Sequence, residues 1–326
     1  MLAIAYEPES QIKTKVDLFD AYIAHQLRLD NRKRYRSWAQ SQGAMTDFAY
    51  AEVEDEPTPA QTKQYLIWLA KHLAKDNITN NFLIERMQPT WLETTAQKWQ
   101  YRLIVGLIFG LIFGLIVGLI VGLIFGLIFG LIVGLIFGLI VGLSDIETVE
   151  TFQFSFSRKA RKEFWNNLIF GLIFGLIFGL IGGLIGGLTF GLQTDFQTRE
   201  TPNQGVIASA KNMLITIPFF YVASIAFLFL PTYVAGGDIA WQETLLPAAL
   251  LSLLLGFFGG GGDAVVQHLI LRFFLHRQGH IPHNYAKFLR YTTERRLTQQ
   301  VGGSFRFIHR ELLAHFAVMD MDSKLD

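Results

Sequence analysis

The sequence predicts a mainly α-helical, polytopic membrane protein with a small N-terminal helical domain and a C-terminal winged-helix-like segment. Three observations carry that prediction. Between Leu103 and Leu143 lie 41 consecutive residues without an ionisable side chain, about twice what one crossing of the hydrocarbon layer needs. Charged residues are only 17% of the chain, against roughly 25% in soluble domains, and they crowd into residues 1–102 and 271–326. Glycine recurs at every fourth position through two long apolar runs.

Residues 1–102 read as the soluble helical domain. Val16, Phe19, Ile23 and Leu27 recur at three or four within Gln11 to Leu29, the spacing of one helix face. The basic Arg32-Lys33-Arg34-Tyr35-Arg36 and the acidic stretch from Glu52 to Pro59 both read as solvated linkers. Thr58, Pro59 and Gln61 then supply an N-cap, a first-turn proline and a capping-box partner for a helix carrying Leu66, Trp68, Leu69 and Leu73. Short helices with Phe82, Ile84, Trp91 and Trp99 lead on to the membrane.

Residues 103–275 form the expected membrane domain, with spans at 103–121, 124–143, 168–192, 207–234 and 245–275. The first glycine run holds Gly106, Gly110, Gly114, Gly118, Gly122, Gly126, Gly130, Gly134, Gly138 and Gly142; the second holds Gly171, Gly175, Gly179, Gly183, Gly187 and Gly191. In water each interior glycine costs a helix about 0.8–1 kcal/mol against alanine. In lipid the Leu, Ile, Phe and Val between the glycines favour insertion, and unpaired backbone has no water to bond. The glycines then form an extended small-residue ridge that lets backbones approach, so all sixteen are expected helix-packing positions. As one helix the stretch from Leu103 to Leu143 would be about 61 Å long, so two crossings joined by a turn near Gly122 are expected. Pro218 interrupts the stretch from Val206 to Val234.

Residues 276–326 are polar again. Tyr285, Phe288, Leu289 and Thr292 share one face of a helix that Pro282 opens; Gly302-Gly303 joins two short strands, and Leu312, Leu313 and Phe316 mark a last helix.

Little in the sequence points to catalysis. Without cysteine there is no disulfide, thiolate nucleophile or Cys-type zinc site. No lysine follows a glycine, and Gly259 to Gly262 before Asp263 reads as helix packing rather than a phosphate cradle. His276, His280 and His283 have metal-ligand spacing, but they end a membrane stretch, where an interfacial role is expected. Asp320 and Asp322 read as solvated charge. No cofactor, metal or catalytic residue is expected, and a net charge of +1 excludes a globally basic nucleic-acid binder.

Basic residues set the expected orientation. Lys98 and Arg102, then Arg158, Lys159, Arg161 and Lys162, then Arg199 and Lys211, and finally the stretch from Arg272 to Arg296 belong on the cytoplasmic side; Ala235 to Gln242 has no Lys or Arg and belongs outside. That assignment makes the run from Leu168 to Leu192 re-entrant.

The chain resembles the C-terminal part of bacterial NACHT-type STAND NTPases. The likeness rests on Leu18-Phe19-Asp20-Ala21-Tyr22-Ile23, Trp68-Leu69-Ala70, Phe82-Leu83-Ile84-Glu85, Gln88-Pro89-Thr90-Trp91-Leu92 and the glycine repeats. It continues through Pro202-Asn203-Gln204-Gly205, Gly279-His280-Ile281-Pro282, Asn284-Tyr285-Ala286, Gly302-Gly303 and Phe307-Ile308-His309-Arg310. Two features depart from the family: the NTPase module is missing, so nucleotide hydrolysis is not implied, and Ala314 stands where an acidic residue commonly precedes the final aromatic pair. The expected function is a non-catalytic membrane anchor and interaction module of a NACHT/STAND-like signalling or defence-type assembly. Its expected partners are the lipid bilayer, further copies of itself and a separate NTPase chain, in a bacterial inner membrane with both soluble ends cytoplasmic. The competing expectation is an oligomeric pore built from glycine-ridged helices.

Overall fold

The computed structural model describes residues 12–28, 48–75, 81–121, 128–136, 146, 201–234 and 241–319. The Arg32–Arg36 cluster, the turn expected near Gly122, the run 168–192 and Asp320 with Asp322 lie outside them. The described chain is mainly helical, with one two-stranded sheet. It divides into two compact units: residues 1–86, 199–203 and 272–326 form the first, and residues 87–198 and 204–271 the second.

The first unit joins the two polar ends of the sequence, which the sequence reading treats as separate segments. Helix α1 (Lys15–Leu27) opens with a capping box in which the Asp17 amide bonds Thr14 Oγ1 at 3.1 Å and the Thr14 amide bonds Asp17 Oδ2 at 2.8 Å. Those bonds, the Thr14 side chain first, hold the Asp17 carboxyl below its ordinary pKa. The helix buries Phe19, Tyr22, Ile23 and Leu27, while Val16 stays exposed. Helix α2 (Pro59–Lys75) has the Thr58–Gln61 box, with reciprocal bonds of 3.1 and 3.2 Å. It buries Leu66 to Ala70 and Leu73.

From the other end of the chain come α7 (Tyr285–Glu294), β1 (Thr298–Val301), β2 (Ser304–Phe307) and α8 (Arg310–Val318). Helix α7 starts after Asn284, whose side chain accepts from the Lys287 amide at 3.0 Å. Pro282 therefore lies outside the helix it was expected to open, because the side-chain cap and not the proline sets the first turn. The strands are antiparallel, and Val301 pairs with Ser304 around Gly302, whose φ of +58° suits glycine. Phe82 exchanges both backbone bonds with Phe305, so the N-terminal half of the sequence adds a bridge to the C-terminal hairpin. Helix α8 packs on α2 and α1, and Lys15–Glu311 and Asp20–His315 contacts of 2.7 and 2.9 Å line its seam with α1.

The acidic stretch read as a solvated linker supplies the main polar contact of this core. Glu56 Oε2 lies 2.6 Å from Arg295 Nη2, with the two side chains only 2% and 4% exposed. Arg295 also donates to the Gln26 carbonyl at 2.8 Å and stands over the Tyr291 ring. Tyr22 Oη donates to the Arg296 carbonyl at 2.7 Å, and the Ala49 amide donates to Glu294 at 2.6 Å. A buried charge needs such a set of partners, because desolvation is otherwise uncompensated.

The second unit holds the long apolar helices. Before it enters α3, the chain makes a 3₁₀ turn at Pro89–Trp91. Helix α3 (Thr95–Val121) is capped by reciprocal Thr94–Gln97 bonds of 3.0 and 3.2 Å, so it begins two turns before the expected span. A second helical stretch covers residues 128–136. Ile146 is bonded on both backbone groups by the Gln88 side chain, at 2.7 and 3.4 Å. The point where the chain leaves the hairpin is thus pinned to the point where it enters.

Helix α4 (Gln204–Val234) runs unbroken through Pro218, where an interruption was expected. In an apolar medium the rest of its backbone gains nothing by unwinding around one missing N–H. The span expected over 245–275 is instead two helices, α5 (Trp241–Gly259) and α6 (Gly262–Arg277), bent by 61°. Gly261 at φ +85° ends α5.

Two outcomes follow for the first unit. Replacing Glu56 with Ala leaves Arg295 buried and unpaired, and should cost about 3–5 kcal/mol of stability, read as a lowered thermal midpoint of the first unit in the full-length chain. The second concerns alkali. Burial first, then Tyr291, Glu56 and Tyr65, push the Tyr50 phenol up to about 12, and burial also raises Tyr22, Tyr65 and Tyr285. From the ordinary phenol value of 10.0 upward the folded state binds more protons than the unfolded chain, so stability is full below that pH and falls as pH rises towards about 12. Phenolate absorbance should show these tyrosines ionising together with unfolding.

Candidate helix-packing site

The described glycines of the first run face inward. Gly106, Gly110, Gly114 and Gly118 on α3 are buried, as are Gly130 and Gly134 on the stretch 128–136. Leu103, Leu107, Leu111, Leu115 and Leu119 are exposed instead. This segregation follows from the repeat, since a four-residue period keeps glycine and leucine on separate stripes of one helix.

The two stripes of glycine meet backbone to backbone. A methyl group on Gly130 would overlap the Gly114 backbone, and one on Gly134 would overlap Gly110. A methyl group on Gly110 would stand 3.1 Å from the Gly130 carbonyl oxygen. The pairs 110–134 and 114–130 share a midpoint at 122, so the two arms are antiparallel. Phe113 and Phe129 flank the seam with ring centres 6.4 Å apart. Gly122, Gly126, Gly138, Gly142 and the second run from Gly171 to Gly191 lie outside the described residues.

A second seam joins α4 to α5. Gly256 meets the Ile217 backbone, where an added carbon would stand 2.9 Å from Ile217 Cα, and Gly260 meets Met213. Thr216 Oγ1 lies 3.0 Å from the Met213 carbonyl and 3.1 Å from that of Gly256, a side-chain bond across the seam. Phe109 of α3 sets its ring edge against Phe257 and Phe258 at 6.1 and 5.8 Å, joining the two seams within the unit.

Sequence reasoning missed the polar side of these helices. Gly205, Ser209, Asn212, Thr216, Phe220 and Ser224 form the buried face of α4, a small and polar stripe hidden in a run scored only for its apolar content. On α6, Gln267 and His268 are buried, and Arg272 donates to Asn203 Oδ1 at 2.6 Å. The signal was present: Gln267, His268 and Arg272, with Asp263 just before them, crowd the end of a stretch read as apolar.

The candidate histidines take up ring contacts. His276 and His283 lie 5.6 Å apart edge to face, and His280 stacks on Trp68 at 5.5 Å. His276 Nδ1 also lies 3.1 Å from the Ile281 carbonyl oxygen.

No family model, curated protein or solved structure matches the chain. Glycine removes the side chain that would hold two helices apart, and the close contact gains dispersion energy along the seam.

Cysteines at Phe113 and Phe129 should crosslink in the membrane-embedded protein. Gly130→Leu should reduce that crosslinking several-fold, whereas Leu111→Ala, on the exposed stripe, should leave it unchanged. Equal crosslinking in the two variants contradicts the seam.

Proposed function

We propose that the protein is a non-catalytic membrane anchor and interaction module of a NACHT/STAND-like signalling or defence-type assembly. The observation that carries this reading is the union of both polar ends in one core that the apolar helices leave and re-enter. Two described helices, Thr95–Leu119 and Gln204–Phe229, are long and apolar enough to cross a membrane, and the bent pair α5–α6 makes up to three. A polytopic membrane domain follows from adding the return arm of the glycine hairpin. The helix, hairpin and helix from α7 to α8 is a winged-helix-like surface, suited to docking a separate NTPase chain on the cytoplasmic face of a bacterial inner membrane.

The anchor is favoured over the pore by where the glycines are spent. The described glycines of the first run pack against the chain's own second arm, so that ridge is not left open for a neighbouring copy. The pore keeps one supporting feature, the buried Asn212, Thr216, Gln267 and His268, since polar groups at membrane depth commonly line a path for water or ions. Planar-bilayer recordings of purified protein separate the two: stable unitary conductance supports the pore, and a silent bilayer with confirmed insertion supports the anchor.

The same geometry supports a parity rule. Segments that share one core lie on one side of a bilayer, so the chain makes an even number of crossings between Gln88 and Ile146, and again between Asn203 and Arg272. Single cysteines at Glu93, Thr201 and Glu311 should all react with an impermeant reagent from the cytoplasmic side. Opposite reactivity of any one of them overturns the rule.

A further inference from the structure

We infer that α6 is an interfacial helix: its exposed Leu269 and Phe273 rest at the boundary of acyl chains and headgroups, and Arg277 meets the phosphates of anionic lipid. This deepens the membrane-anchor reading and rests on it.

Length is the first argument. Helix α5, Trp241–Gly259, has 19 residues and is about 28 Å long, close to the full hydrocarbon thickness. Nothing further is needed to complete its crossing, and α6 would add 16 residues, or about 24 Å. The chain instead bends by 61° at the left-handed Gly261, just where Gly260 reaches the Met213 backbone.

Composition is the second. Within α6, Asp263, Gln267, His268, Arg272, His276 and Arg277 are polar or ionisable, a density that a spanning helix does not tolerate. Gln267, His268, Leu271 and Leu275 are buried, whereas Leu269 and Phe273 are 59% and 58% exposed, close to the 63% of Leu246 on α5. Apolar side chains turned outward on a helix with this many polar and ionisable groups suit a segment lying in the interface. Leu269 and Phe273 are exposed like Leu246 and Leu253 of the crossing helix, so lipid is their occupant. The exposed His276 and Arg277 at the end of α6 complement anionic headgroups, which long basic side chains reach by extending outward.

The chain has no cysteine, so single spin labels report depth without background. Labels at Leu269→Cys and Phe273→Cys are compared with Val222→Cys and Leu253→Cys, using oxygen and nickel accessibility in nanodiscs of neutral or mixed neutral and anionic phospholipid. The reference labels should read deep in the hydrocarbon, and the α6 labels about 5–10 Å below the phosphates. In anionic discs Arg277→Glu should shift the α6 labels outward, with no shift in neutral discs. Labels on α6 as deep as Leu253 would mean a continued crossing. Full nickel access would mean a helix in water, and protection from both reagents would mean a cover of protein; each of the three overturns the inference. An Arg277→Glu variant that shifts nothing removes the anionic-lipid part. Should Val222 and Leu253 themselves read as aqueous, the anchor reading fails and the inference falls with it.

Discussion

Close approach of glycine to a neighbouring backbone is the contact on which the apolar half of this structure depends. Helices in lipid gain nothing from hiding leucine, because the surrounding tails are as apolar as the side chain. What remains is short-range dispersion, about 0.1–0.2 kcal/mol per atom pair and lost within an ångström of separation. Gly110, Gly114, Gly130 and Gly134 bring two backbones within that range, and Gly256 and Gly260 do the same for the next pair of helices. The outward leucines of α3 follow from the inward glycines, since one repeat sets both stripes.

The polar unit is held by a different kind of contact. Its buried groups are directional: Arg295 answers Glu56 and the Gln26 carbonyl, Tyr22 answers Arg296, and Phe82 answers Phe305. Such contacts specify one arrangement, whereas dispersion along a uniform ridge does not. A repeat shifted by one period presents the same surface, so the seam between the two arms has little chemical means of choosing its register. The cap at Thr94 and the Gln88–Ile146 clasp supply it from outside the repeat.

Local features were legible in the sequence because local physics makes them. Thr58 with Gln61 sits three residues away from its partner, and the apolar spacing of α1 and α2 is read within four turns. The glycine period was equally plain. Glu56 and Arg295 were not, being 239 positions apart, and a lone acidic residue before a proline looks like any solvated loop. The polar stripe of α4 escaped for another reason: averaged hydropathy hides a serine, an asparagine and a threonine on one face among the apolar residues of the other. The bend at Gly261 was visible as a glycine run, but the Met213 backbone that Gly260 meets beside it is 47 positions away and no local pattern contains it.

A core assembled from both ends of a chain sets an order of events during synthesis. Domains ordinarily fold as they emerge, yet α8, which packs on both α1 and α2, lies beyond Arg272. Until it is made, Leu66, Trp68, Phe82 and Ile84, all nearly or wholly buried in the finished unit, lack part of their native cover while the long apolar helices are being made. The nascent protein therefore presents an uncovered apolar surface while the intervening helices are made, and its yield should depend on whatever shields that surface in the meantime.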